Sequence, residues 1–109
     1  MAKRTSKPQS APAHASWTFL TNHAHVLLCI ARDPEIRLRE LSGLVGITER
    51  AAHRIVVDLE VGGYISRERN GRRTHYELHV DVPLRHSIER HRTVASLIAL
   101  LRAERRKDH

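Results

Sequence analysis

Apolar residues recur at helical spacing through the middle of the chain. Ala52, Ile55, Val56 and Leu59 follow one another at steps of 3, 1 and 3, which lines them along one face of a helix over residues 48–61. Thr48 stands just ahead of that stripe, with a hydroxyl suited to the free N–H groups of a first turn. The opposite face carries Glu49, Arg50, His53, Arg54 and Val57. Upstream, Leu38, Leu41, Leu44 and Val45 outline a shorter helix with those four side chains inward, and Gly46 supplies a sharp turn between the two. Gly62 and Gly63 stop the longer helix. The pattern then changes to alternation, with Tyr64, Tyr76, Leu78 and Val80 on the inner face of strands 65–69 and 73–80. Asn70-Gly71 joins those strands, because both residues tolerate the positive φ of a tight hairpin turn.

The flanks follow the helical period as well. Trp17 to Arg32 reads as a helix capped by Ser16, with Leu20, Val26, Leu27 and Ile30 on its inner stripe and His23 as a candidate for it. Asp33 is pushed away from helical geometry by Pro34. Trp17 has two readings, a core position or a contact offered to a second chain. After Pro83, the residues Leu84, Ile88, His91, Val94, Ala95, Leu97, Ile98, Leu100 and Leu101 outline an apolar helical stretch. It begins either near Leu84 or at a shorter helix capped by Thr93 after an irregular 85–92 link. So small a body leaves many of these leucines uncovered, and a second copy of the chain would bury them. Packing against the first helix of the same chain is the alternative.

Two helices joined by a tight turn and followed by a hairpin form a winged helix-turn-helix. The expected class is α+β, mostly α: a three-helix core, a β-hairpin wing and an additional C-terminal helix. Residues 1–15 read as a disordered basic tail, 16–82 as a winged helix-turn-helix DNA-binding domain, and 83–109 as a helical dimerisation segment. At 109 residues there is room for a modest core but not for a separate catalytic lobe.

Charge sharpens this picture. Lys and Arg outnumber Asp and Glu by 19 to 12, a net charge of +7, and the pI is near 10.7. Such a balance is the electrostatic footprint of a nucleic-acid binder, although charge alone does not choose a partner. Placement does more: Arg67, Arg69, Arg72 and Arg73 fall within seven residues, offset locally by Glu68 alone. A hairpin so charged points to an anionic partner. The single Cys excludes an internal disulfide, and no signal-like core or membrane-length apolar span is present, so a cytoplasmic location is expected.

Other chemistry finds little support. Nine histidines include His79, His86 and His91 around the C-terminal link and the close pair His23 and His25, but their spacing matches no established ligand motif. Cys29, on a helix face expected to be buried and without an activating neighbour, reads as an inert thiol. No nucleophile triad, glycine-rich phosphate loop or carboxylate pair occurs, so no enzyme, metal or cofactor is expected.

The run ITERAAHRIVVDLEVGGYISRERNGRRTHYEL resembles the reader helix and wing of MarR-type winged-helix transcription factors. It is similar in particular to short, stand-alone bacterial members, whose opening resembles WTFLTNHAHVLLCIARDP. The resemblance covers Trp17 to about Val82, and Ser42 stands where such proteins usually have a small Ala. It implies a sequence-specific double-stranded DNA-binding regulator, a homodimeric repressor. Thr48, Glu49, Arg50, His53 and Arg54 would face the major groove, while Arg67, Arg69, Asn70, Arg72 and Arg73 would hold the wing on the backbone. Trp17, Val94, Leu97, Ile98 and Leu101 would serve dimerisation. A winged-helix protein–protein adaptor and a metal-responsive repressor are the competing readings. A small-molecule effector stays open.

Overall fold

The computed structural model describes residues 17–106, in the order α1 (Asn22–Arg32), α2 (Leu38–Val45), α3 (Glu49–Val61), β1 (Ile65–Asn70), β2 (Arg73–Leu78) and α4 (Val94–Arg106). The expected basic tail at 1–15 and the Ser16 cap lie outside the described residues. Helix α1 starts five residues later than the periodicity suggested. Thr21 caps it, accepting from the Ala24 N–H at 3.2 Å. Trp17 and Phe19 lie ahead of the helix, 67% and 92% exposed, and meet edge to face with ring centroids 5.1 Å apart. The far end follows expectation, since Asp33 before Pro34 is extended at φ −143° and its N–H reaches back to the Cys29 carbonyl.

In α2 the buried stripe runs through Leu38, Leu41, Ser42 and Val45. Leu44, expected inward, is 70% exposed. At about 100° per residue it lies roughly a third of a turn from the centre of that stripe, and the small Ser42 takes the inward place. The Ser42 hydroxyl stays satisfied by donating to the Arg39 carbonyl at 2.9 Å. Gly46 then turns the chain in the left-handed region at φ +87°, where a side chain would be strained. Thr48 caps α3 as expected, accepting from the Ala51 N–H at 3.0 Å, and Ala52, Ile55, Val56 and Leu59 are all buried.

The hairpin carries a one-residue difference. Asn70 is the last residue of β1, paired with Arg73, so the two-residue loop is Gly71-Arg72 and not Asn70-Gly71. Gly71, at φ +63°, takes the first loop position, in the left-handed region that glycine enters without strain. Strand β2 ends at Leu78, short of the expected Val80. His79, opposite Tyr64 in the register, still donates its N–H to the Tyr64 carbonyl, and the chain then leaves the hairpin, with the Val80 carbonyl accepting from the Ala95 N–H. Val80 is consequently exposed instead of facing inward. On its other edge β2 meets the α1–α2 link, where the Tyr76 N–H donates to the Pro34 carbonyl at 2.8 Å.

Of the two readings for the C-terminal segment, the structure adopts the later start. An irregular link closes on itself through a Pro83–Thr93 bridge and a Leu84 N–H to Arg92 carbonyl bond at 2.9 Å. Helix α4 follows directly. Val94 is 0% exposed within its own chain and Ile98 packs on the same core, which removes Val94 from any dimer surface. The core that holds them also contains Val26, Leu27 and Ile30 of α1, Leu41, the α3 stripe, Tyr64, Ile65 and Tyr76. Among the described residues no helix is long and apolar enough to cross a membrane.

Candidate nucleic-acid interface

One side of α3 builds the core, and the other is left free at its N-terminal half. Arg50, His53, Arg54 and Val57 stand at i, i+3, i+4 and i+7, a single stripe. With Thr48 and Ala51 they line a shallow open depression of about 460 Å³. Arg50, His53 and Arg54 are exposed, as is Glu49, and none of these four has an ion-pair partner among the described residues. The stripe lies in the first turns, where unpaired N–H groups and the helix dipole favour negative charge. All five reader-helix residues expected from the sequence therefore sit together at one helix end.

The wing divides its arginines differently from what the sequence suggested. Arg67 reaches back to the end of α3 and places Nε at 3.1 Å and Nη2 at 2.9 Å from one carboxylate oxygen of Glu60. Arg73 lies 3.5 Å from Oε1 of Glu35, whose other oxygen is 3.4 Å from Nδ1 of His75. Arg69 donates to the Gly71 carbonyl at 3.4 Å, and Arg72 has no ion-pair partner among the described residues. Glu68 is therefore not the only offset to this charge: Glu60 and Glu35 come from α3 and the α1–α2 link to neutralise two of the four. Neither was legible beforehand, since each carboxylate meets its arginine only after the hairpin has folded onto the helices. Cross-strand pairing puts Arg67 beside Tyr76, whose phenol is pushed above its usual range by burial, with Arg67 lowering it and Glu60 raising it.

Two further side chains lie on α1. His23, expected as a candidate core residue, is exposed, with Nε2 at 2.8 Å from Oδ2 of Asp58. Cys29 is half-buried against the core, and burial raises its thiol above the ordinary range while Arg32 partly opposes the shift. The residues expected at a dimer surface split into three groups. Trp17 and Leu101 are exposed, Leu97 and Ile98 are half-buried with Ile98 packed against the core, and Val94 belongs to the core of its own chain. Among the described residues no three His, Cys, Asp or Glu side chains converge as metal ligands.

No family model matches the chain, and no curated protein does. Among solved structures it is similar to a MarR protein from Peptoclostridium difficile, with a TM-score of 0.53 and 15% identity, over 81% of this chain and 52% of that one. The fold is the MarR-type winged helix. A second match is the PcaV transcriptional regulator from Streptomyces coelicolor, solved with its natural ligand, with a TM-score of 0.49 and 22% identity over 55% of this chain and 45% of that one. The chain spans about half the length of these two structures. In MarR-type terms α2 and α3 are the helix-turn-helix, and β1 and β2 are the wing.

Proposed function

We propose that this chain is a sequence-specific double-stranded DNA-binding transcription regulator, acting as a homodimeric repressor in the cytoplasm. The observation that carries this reading is the free stripe of Arg50, His53 and Arg54 on the first turns of α3, opposite the buried face of Ala52, Ile55 and Val56. A helix rigidly backed by core on one side and cationic on the other suits the major groove. Arginine reads guanine O6 and N7 by paired hydrogen bonds, and Glu49 can accept from cytosine N4. Thr48 fixes the start of the helix, and the wing, through Arg69, Asn70 and Arg72 near its tip, grips the phosphates alongside.

Residues 16–82 serve DNA binding in this proposal, and 83–109 pair two copies through the outward side of α4. Leu97 and Leu101, with Trp17, supply the apolar contact, since Val94 is already used internally. Two-fold pairing would set two reader helices about 34 Å apart, one turn of duplex. Selection of bound sequences from random duplex DNA tests the whole reading. A palindromic preference with half-sites one turn apart supports it, and recovery of no preferred sequence rejects it.

A further inference from the structure

Between the reader helix and the wing lie only Gly62, Gly63 and Tyr64, and Gly63 stands at φ +85°. Backbone bonds close this helix end, from the Gly62, Gly63 and Tyr64 N–H groups to the Asp58, Glu60 and Leu59 carbonyls, and Tyr64 and Ile65 are buried just beyond it. One side-chain bond spans this junction. Glu60 is in the last turn of α3, Arg67 is the third residue of β1, and two guanidinium nitrogens converge on one carboxylate oxygen. The pair is not loosely solvated, since each side chain is 35% exposed. Arg67 also shares a face of the hairpin with the buried Tyr76, so its stem is held from beneath.

We infer that Glu60 is a positioning residue: through Arg67 it fastens the first strand of the wing, beyond the buried junction, to the end of the reader helix. Arg67 is thereby withdrawn from the anionic partner, which is left to Arg69 and Arg72 nearer the tip. This rests on the DNA reading and deepens it. It also inverts the ordinary expectation for an acidic residue beside a phosphate-binding element. Deleting a carboxylate there should strengthen DNA binding, unless the carboxylate organises the element.

That difference in sign is the test. Affinity for the selected duplex is measured across a salt series for the wild type and for Glu60→Gln, Arg67→Lys and Arg67→Gln. Positioning predicts that Glu60→Gln and Arg67→Lys each weaken binding about two- to fivefold, the range of a part-exposed pair. The salt slope stays unchanged, because no phosphate contact is lost, and Arg67→Lys resembles Arg67→Gln because lysine lacks the guanidinium fork. A phosphate-contacting Arg67 gives the opposite pattern. Glu60→Gln then tightens binding, Arg67→Lys behaves as wild type, and Arg67→Gln flattens the slope by about 0.9. That pattern, or unchanged affinity in every variant, overturns the inference. If the wild type binds no duplex, the DNA reading fails on its own, and amide exchange in the free protein decides this one. Faster exchange at Ser66 to Glu68 in Glu60→Gln supports positioning, and equal rates in the two proteins overturn it.

Discussion

Nε2 of His23 lies 2.8 Å from Oδ2 of Asp58, a bond that ties the first turn of α1 to the third turn of α3 across 35 residues of sequence. Both side chains are about half exposed, at 49% and 53%, so the bond works in water and is screened by salt. Its place outweighs its strength, because it joins the first helix to the one proposed to enter the groove. A double-mutant cycle with His23→Ala and Asp58→Ala should give a coupling of about 0.2–1 kcal/mol in urea unfolding. Coupling well above that range would show a pair far better shielded than its exposure indicates.

Val94 and Leu101 should respond to truncation in opposite ways. Val94→Ala empties a fully buried site and should cost about 2 kcal/mol of unfolding free energy, independent of protein concentration. Leu101→Ala touches an exposed position and should leave the stability of the isolated chain within about 0.5 kcal/mol. It should instead weaken self-association in sedimentation. A Val94→Ala effect that vanished on dilution would place that residue at an interface after all.

The reader stripe and the wing tip should separate by specificity. Arg50→Ala or His53→Ala should relax preference at one or two base pairs, by about 1–3 kcal/mol each, and leave other positions as they were. Arg72→Ala should lower affinity for all sequences alike and flatten the salt dependence by about 0.9 in log–log slope. Competition binding against single-base variants of the selected duplex measures both. A uniform loss from Arg50→Ala would demote that residue to a backbone contact.

Cys29 supplies a pH prediction. Burial raises its thiol pKa in the folded chain, so the folded state holds its proton to higher pH than the unfolded state does. The resulting stabilisation is fully present below the ordinary thiol range and is lost as pH rises through the raised folded value. Cys29→Ser should therefore flatten the alkaline fall in stability measured by unfolding at stepped pH. Disulfide-exchange labelling of native protein at neutral pH should also run slower than labelling in urea. Equal rates in the two states would contradict a half-buried thiol.

Gly46 tests the turn itself. Its φ of +87° is a conformation that costs an L-residue about 1–2 kcal/mol, although a Cβ there would meet no atom within 4 Å. Gly46→Ala should thus destabilise by that amount through backbone strain alone, as read by thermal melting. A neutral substitution would mean that the turn relaxes.

The parts of the fold that were legible in the sequence are those governed by local rules. Thr48 capping α3, the stripe through Ala52, Ile55, Val56 and Leu59, and the stop at Gly62 each depend on neighbours within a few residues. The hairpin was legible as a hairpin but slipped by one residue, since Asn70 and Gly71 both tolerate positive φ and the final register depends on which faces Tyr76 and Ile65 must bury. Leu44 misled because Ser42, a polar residue, took the inward position in a short helix. The division of the wing arginines was out of reach. Glu35 and Arg73 are 38 residues apart, and nothing local joins them. The same holds for Val94, which looks like surplus apolar surface until the 83–93 link folds back and lays it on the core.

The backbone bond from Tyr76 to Pro34 gives the hairpin the mechanics of a cantilever. Near its root, β2 is held on both edges, by β1 on one side and the α1–α2 link on the other, with Ile65 and Tyr76 sunk in the core below. Toward Gly71 the backbone of each strand bonds only its partner strand, with the exposed Arg73–Glu35 pair as a side-chain tether. Stiffness therefore falls along the length of the arm. The tip can bend to follow an irregular contour while the root, and the α3 register locked to it, stays still.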